Sequence, residues 1–153
     1  MKVLSEEVME FLQKEGFMVV STVDKDGTPH SSCKGIVKIN QNGQIYLMDL
    51  YKARTYENLK HNSHVALTVV DEHKFNGLCL KGRGKIVNED KLSAQVIRAW
   101  EKRLTNRLTK RVLRNISGEK GHRSHPEALF PKPEYMIVVE VKEIVDLTPQ
   151  HLK

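Results

Sequence analysis

The chain is poor in cysteine and in long apolar runs. Its 153 residues include two cysteines, and these are not in the Cys-x-x-Cys spacing that many structural zinc sites use. No apolar run approaches the roughly 18 residues of a membrane-spanning helix, which excludes a membrane span. Cys33 and Cys79 both lie inside apolar, strand-like segments, which predicts two reduced thiols in the core of a cytoplasmic protein.

The N-terminal segment MKVLSEEVMEFL lacks the apolar stretch of a secretory signal, because Glu6 and Glu7 interrupt it. We therefore expect a cytoplasmic protein with no membrane partner. Hydrophobic residues make up 39% and charged residues 29% of the chain, which indicates a soluble globular protein and not a disordered one. The net charge of +6 favours an anionic partner, which can be a nucleotide, a phosphate-bearing cofactor or a nucleic acid.

Short apolar runs alternate with turn signals over most of the chain. Strands this closely spaced must pair mainly antiparallel, because parallel pairs need long crossover connections. A six-stranded antiparallel barrel with flanking helices closes such a sheet without leaving an exposed edge. The chain length predicts one domain over 1–153. The predicted elements are an N-terminal helix over 5–15 between Ser5 and Gly16, barrel strands within 17–87 and 135–147, a long basic helix over about 89–117 and a loop over 118–134.

Cations collect in the connector between the third and fourth predicted strands. This connector, YKARTYENLKHN, contains Lys52, Arg54 and Thr55 just where a short helix is expected to begin. A phosphate is bound well by backbone N–H groups at a helix start, by a hydroxyl and by guanidinium or ammonium groups. The connector offers all three. The alternative is a solvated turn whose cations keep the protein soluble, and the residues of the connector alone favour neither interpretation.

The chain from Phe17 to Val87, with the closing segment EYMIVVEVKEIVDL, resembles the flavin-binding split-barrel family that includes pyridoxamine 5′-phosphate oxidase. The motifs DKDGTPHSS, NGQIYLMD, the basic connector, NLKHN and LKGRGKIV occur in the family's order. The resemblance implies a mainly β fold with flanking helices, a six-stranded antiparallel Greek-key barrel known as the FMN-binding split barrel. It also implies a homodimer that holds FMN at the subunit interface. The fifth strand, with Cys79 and Leu80, is expected to form part of that interface.

The resemblance assigns cofactor contacts to three places in the chain. The flavin ring is expected along the second strand, the end of the third strand is expected to flank it, and the connector is expected to hold the phosphate, with Asn58 bracing the turn. Many family members have lysine where this chain has Thr55, so FAD and a deazaflavin are alternatives to FMN. The implied contacts are Ser31, Ser32, Cys33, Lys34, Met48, Asp49, Lys52, Arg54, Thr55 and Asn58.

The C-terminal segment VDLTPQHLK departs from pyridoxamine 5′-phosphate oxidases proper, which end in a signature of tryptophan, paired glycines and arginine. We therefore expect an FMN-dependent oxidoreductase that acts on a small molecule and does not make pyridoxal phosphate. Two alternatives stay open: a flavin-binding or electron-transfer module without turnover, and a basic nucleic-acid-binding barrel. No catalytic residue and no metal ligand is assigned. His122 and His125, in the predicted loop, are candidates to line a substrate pocket.

Positive charge is concentrated between Lys91 and Ser117, where eight Lys or Arg residues accompany one acid, Glu101. Leu104, Leu108 and Val112 recur every four residues, which predicts an amphipathic helix with a cationic outer face. Such a face can bind nucleic acid. Because Trp100 is the only aromatic residue among these cations and base stacking needs several, a solvated helix that covers one end of the barrel is favoured over this alternative.

Overall fold

Alternating apolar and polar residues along the chain favour six strands, which close into an antiparallel barrel. The structure is a computed structural model that describes residues 1–118 and 134–152. The strand order around the barrel is β1-β2-β3-β6-β5-β4, with β4 pairing back to β1. The predicted fold is therefore confirmed. The strands are β1 (Phe17–Val23), β2 (Pro29–Ile39), β3 (Gln44–Met48), β4 (His64–Asp71), β5 (Asn76–Asn88) and β6 (Tyr135–Asp146).

The first helix, α1 (Glu6–Glu15), ends where the sequence predicts. The Ser5 hydroxyl accepts the N–H of Val8, and Gly16 closes the helix with φ at 71°, a left-handed conformation that glycine adopts without strain. The short helix α2 (Arg54–His61) carries the chain from β3 to β4 across one end of the barrel. Its buried side chains are Thr55, Asn58 and Leu59.

The long helix, α3 (Ala94–Ile116), begins later than predicted. Residues Glu89–Lys91 form a separate 3-10 turn, and Leu92 is extended with ψ at 135°. The Ser93 hydroxyl then accepts the N–H of Val96 at 3.4 Å, as a helix-capping serine does. The predicted loop over 118–134, with its two histidines, lies outside the described residues except for its two end positions.

Strand alternation decides which side chains fill the barrel. Leu80 points inward and is fully buried, so the prediction that it belongs to a subunit interface is wrong, whereas Cys79 next to it points outward. Cys33 is exposed on the outer side of β2, so the prediction of two core thiols is also wrong. An apolar run in a strand predicts burial of every second residue only. The fully buried core side chains include Met18, Val20, Ile45, Leu47, Leu67, Leu80, Ile137 and Val139.

Only part of α3 packs on the barrel. Val96 and Trp100 are buried against Met48 and Met136. This line of contact continues along the helix through Arg103, whose Nη1 donates to the carbonyl oxygen of Ile36 at 2.6 Å. The predicted apolar row instead diverges from the barrel after Leu104. Leu108 and Val112 are exposed, so only the first half of the helix, through Val96, Trp100 and Arg103, covers the barrel.

Candidate functional site

The connector between β3 and α2 ends in an uncapped helix start. Ala53 occupies the N-cap position and makes no side-chain cap, since alanine has no acceptor to offer. The first backbone bond of the helix runs from the N–H of Glu57 to the carbonyl oxygen of Ala53. The preceding N–H groups have no partner within the helix. Lys52 and Arg54 flank them with largely exposed cationic groups, so this end of α2 carries the features of an anion site.

Asp24, in the turn after β1, holds Arg54 and Asn58 in place. Its carboxylate lies 3.3 Å from Nη1 of Arg54 and accepts a hydrogen bond of 2.7 Å from Nδ2 of Asn58. The same Asn58 amide donates at 3.0 Å to the hydroxyl of Thr22. Asn58 is buried and faces the end of β1. It therefore fixes the position of α2 on the barrel, and Asp24 keeps the Arg54 guanidinium beside the helix start.

Thr55 ties the helix start to the second strand. Its hydroxyl lies 2.8 Å from the hydroxyl of Ser32, and its side chain is buried. Ser32 and Thr55 thus satisfy each other's polar groups at the barrel end.

A buried polar network lies on the other side of the connector. Nζ of Lys34 is 2.5 Å from Oδ1 of Asp49, with side chains only 12% and 2% exposed. The other carboxylate oxygen of Asp49 accepts the Tyr135 hydroxyl at 2.7 Å, and this hydroxyl is 3.2 Å from the carbonyl oxygen of Tyr51. Burial, together with the Asp49 carboxylate, holds the pKa of Tyr135 well above its usual range. Tyr135 therefore stays protonated and anchors the connector as a donor.

Two aromatic rings lie beside this network. The rings of Tyr56 and Tyr135 meet edge to face with centroids 4.9 Å apart. Nζ of Lys52 lies 6.0 Å from both centroids and 2.6 Å from a carboxylate oxygen of Glu134. The hydrogen bond between them raises the pKa of Lys52 and lowers that of Glu134, so both are charged at neutral pH. Because the pair is exposed, its attraction is weak, and Lys52 can turn toward another anion at little cost.

The candidate residues of β2 and β3 divide between the two faces of the sheet. Ser31 and Cys33 are exposed on the outer face, whereas Ser32 and Lys34 point the other way and make the contacts described above. Met48 packs under α3, where the indole N–H of Trp100 lies 3.3 Å from its sulfur. The structure thus brings together Lys34, Asp49 and Lys52 around Tyr135, and Ser32, Arg54, Thr55 and Asn58 around α2. It leaves Ser31 and Cys33 on the outer face.

Sequence reasoning missed three residues that shape this region. Tyr135 lies 86 positions from Asp49 and reaches it only because β6 pairs with β3. Trp100 meets Met48 through the packing of α3. Asp24 belongs to a predicted turn, and its role depends on α2 folding over that turn. Neither Trp100 nor Asp24 carries a sequence signal of its own. Tyr135 carries one, because it is a tyrosine at the start of an otherwise apolar strand.

Residues 1–118 and 134–152 show neither a metal site nor a membrane-spanning helix. No three His, Cys, Asp or Glu side chains there are grouped to hold a metal ion. In the same ranges, no helix combines the length and the apolar character needed to cross a membrane.

Comparison with known proteins gives one family. The sequence profile of the family described as "Pyridoxamine 5'-phosphate oxidase" matches residues 4–131. Among solved structures, HupZ of Group A Streptococcus is 17% identical, with a TM-score of 0.68 over 95% of this chain and 94% of that one. HutZ, described as the heme storage protein of Vibrio cholerae, is 20% identical, with a TM-score of 0.55 over 94% of each chain. An F420 reductase is 18% identical, with a TM-score of 0.58 over 93% of this chain and 98% of that one. No curated protein matches. At these identities the solved structures establish the fold alone.

Proposed function

The chain belongs to the pyridoxamine 5′-phosphate oxidase family, and we propose that it is an FMN-binding flavoprotein, a homodimeric oxidoreductase that acts on a small molecule. Members of this family typically bind flavin. The choice of FMN rests on the uncapped start of α2. There Lys52 and Arg54 flank N–H groups that have no partner within the helix.

The residues present fit the phosphate of such a cofactor. Arg54 is held at the helix start by one long contact to Asp24, which leaves most of its guanidinium exposed. A phosphate dianion can accept two hydrogen bonds from that group and others from the backbone of the first turn of α2. In this proposal Thr55 and Asn58 act by fixing the helix, since their polar groups are engaged with Ser32, Thr22 and Asp24.

The ring of the cofactor would lie against the outer face of β2, along Ser31 and Cys33, with the end of β3 beside it. When bound, FMN supplies the redox chemistry, and the protein supplies binding, orientation and exclusion of water. Lys34 and Asp49 point away from this face and act indirectly, because Asp49 anchors the connector through Tyr135.

Support for a homodimer comes from the outer side of the sheet. The strand register places one row of uncharged, outward-facing side chains next to each other, formed by Cys33, Val19, Thr68, Cys79 and Val145. Two residues further along three of these strands lie exposed apolar side chains, those of Phe17, Val70 and Leu147. We call these eight residues the apolar patch, and exposed apolar side chains grouped in this way are typical of a surface that a partner covers. A second subunit seated there would also enclose a flavin ring on β2.

We expect FMN to bind at least about tenfold more tightly than riboflavin, a difference of ~1.4 kcal/mol, because the start of α2 contacts the phosphate. Quenching of flavin fluorescence during titration measures both affinities, and FAD, F420 and heme are titrated alongside. Equal affinity for FMN and riboflavin would contradict the phosphate contact. Tighter binding of F420 or heme than of FMN would contradict the choice of cofactor.

We expect light scattering of the flavin-bound protein at micromolar concentration to give twice the 17.6 kDa mass of the chain. Val70→Asp places a charge in the apolar patch and should shift the protein toward the monomer, because an unpaired buried charge is costly. Val3→Asp changes an exposed apolar residue of the N-terminal segment, whose neighbour Leu4 bonds to Gln41 in the β2–β3 turn, and serves as the control. A monomeric mass for the unmodified, flavin-bound protein is the result that counts against the dimer.

Steady-state kinetics distinguish the proposed oxidoreductase from the alternative, a flavin-binding or electron-transfer module without turnover. An oxidoreductase should oxidise NADH or NADPH continuously when a small-molecule acceptor is supplied. A module without turnover should bind the flavin and show no sustained oxidation with any acceptor.

A further inference from the structure

The second half of α3 is amphipathic on its solvent side. Wound at 3.6 residues per turn, Leu108, Val112, Leu113 and Ile116 fall within an arc of about 140° of the helix circumference. These side chains are exposed by 40%, 54%, 60% and 78%, respectively. Arg98 and Lys102 project on the same side from the first half of the helix. We call these six residues the α3 outer face. The barrel-facing side of the helix, defined by Val96, Trp100 and Arg103, lies roughly opposite.

The α3 outer face combines cations with apolar side chains. Arg98 and Lys102 are exposed on this face together with the acid Glu101, which lies in the same arc, and Lys110 is exposed about 60° beyond it. Glu101 is the only acid between Lys91 and Ser117, so the electrostatic potential around this helix is strongly positive. A basic amphipathic helix with an exposed apolar side is typical of a helix that lies in a membrane interface, with its cations near anionic headgroups.

We propose that the α3 outer face binds the surface of an anionic lipid membrane. In this arrangement Val112, Leu113 and Ile116 enter the boundary between headgroups and acyl chains. Arg98, Lys102 and Lys110 lie near the phosphates, where each cation contributes attraction. The helix lies on the membrane and does not cross it. The expectation of no membrane partner rested on the absence of a spanning run, and this proposal revises it.

Charge and chemistry favour this occupant over two others. Nucleic acid would match the cations but would leave the apolar side chains without a partner, and the one aromatic residue of α3, Trp100, is buried and cannot stack on bases. A second copy meeting this face through its own α3 would bring two strongly cationic helices together, and like charges oppose that contact. An anionic bilayer takes both the cations and the apolar side chains. The proposal is independent of the flavin site.

Co-sedimentation with vesicles tests the proposal on the full chain. The protein should sediment with phosphatidylcholine vesicles that contain phosphatidylglycerol and should stay in the supernatant with phosphatidylcholine alone. Raising the salt from roughly 50 to 300 mM should weaken the association, because screening shortens the reach of the cations. Val112→Gln combined with Ile116→Gln should weaken partitioning roughly tenfold, and Arg98→Gln combined with Lys102→Gln should weaken it several-fold. All four positions are exposed, so the fold should persist, as circular dichroism can verify.

Lys74→Gln combined with Phe75→Gln is the matched control, since it removes an exposed cation and an exposed apolar side chain at the β4–β5 turn. It should leave sedimentation unchanged. Absence of sedimentation with the anionic vesicles overturns the proposal, as does an equal loss in the control variant. A switch of the Val112 and Ile116 variant from dimer to monomer would instead make this face a subunit contact. Tight RNA binding that the same variant abolishes would assign the face to nucleic acid. Either result also overturns the membrane proposal.

Discussion

Asp49→Ala is expected to lower the free energy of unfolding by about 3–5 kcal/mol, because it leaves the Lys34 ammonium buried without its counterion. The 2.5 Å contact between the two charges is almost fully enclosed, so solvent cannot compensate for the lost partner. The Tyr135 hydroxyl loses its acceptor in the same variant. Urea unfolding followed by circular dichroism, carried out without flavin, measures the change.

Two further variants separate a broken ion pair from a general defect. Lys34→Met combined with Asp49→Leu removes both charges and should be less destabilised than Asp49→Ala alone, since no charge is left unpaired. Lys81→Ala tests an ion pair on the surface, 3.1 Å to Glu143, where the effect should be small. If Asp49→Ala and Lys81→Ala cost the same, the Lys34–Asp49 pair is not buried in solution.

Arg54→Ala is expected to weaken FMN binding by ~1.5–3 kcal/mol, because it removes a charge-assisted contact to the phosphate. Riboflavin affinity should stay nearly constant, since riboflavin has no phosphate to lose. Thr55→Val should have a smaller effect on FMN, ~0.5–1.5 kcal/mol, because it breaks the contact to Ser32 that positions the helix. Titrations of both flavins with each variant, followed by flavin fluorescence, give the four affinities.

Arg98→Ala is the matched control for Arg54→Ala, because it removes an exposed arginine from a different helix. It should leave FMN affinity unchanged, since a screened surface charge has little effect at a distance. Neutralising Arg107 and Arg111 together should also have little effect on FMN. If that pair proves costly while Arg54 does not, the phosphate lies against α3 and the assignment to the α2 start is wrong.

The fold was predictable from the sequence because its determinants are local or repeat along the chain. Ser5 and Gly16 bound α1 through hydrogen bonds and a backbone conformation that their own chemistry favours. Turn residues separate runs of strand length, and close spacing requires antiparallel pairing. The order of motifs from Phe17 to Val87 then indicated the family, which the match over residues 4–131 establishes.

The composition of the candidate site was predictable only in part. The helix start at Arg54 follows from residues adjacent in the chain, so the connector could be singled out. The faces of β2 could not be assigned, because four consecutive candidates, from Ser31 to Lys34, necessarily alternate between the two sides of a strand. Which side is the barrel interior depends on how the other strands close around it.

The sequence by itself determined the order of strands and helices, the charge of α3 and the cationic start of α2, since each depends on residues close together in the chain. Tertiary structure alone decided that Tyr135 meets Asp49, because only the pairing of β6 with β3 brings positions 86 residues apart into contact. It also decided that α3 rests on the barrel through Trp100 and Arg103 and leaves Leu108 and Val112 in solvent. A helix with apolar residues on one side and a mixed second side can dock through either, and the shape of the barrel surface selects between them.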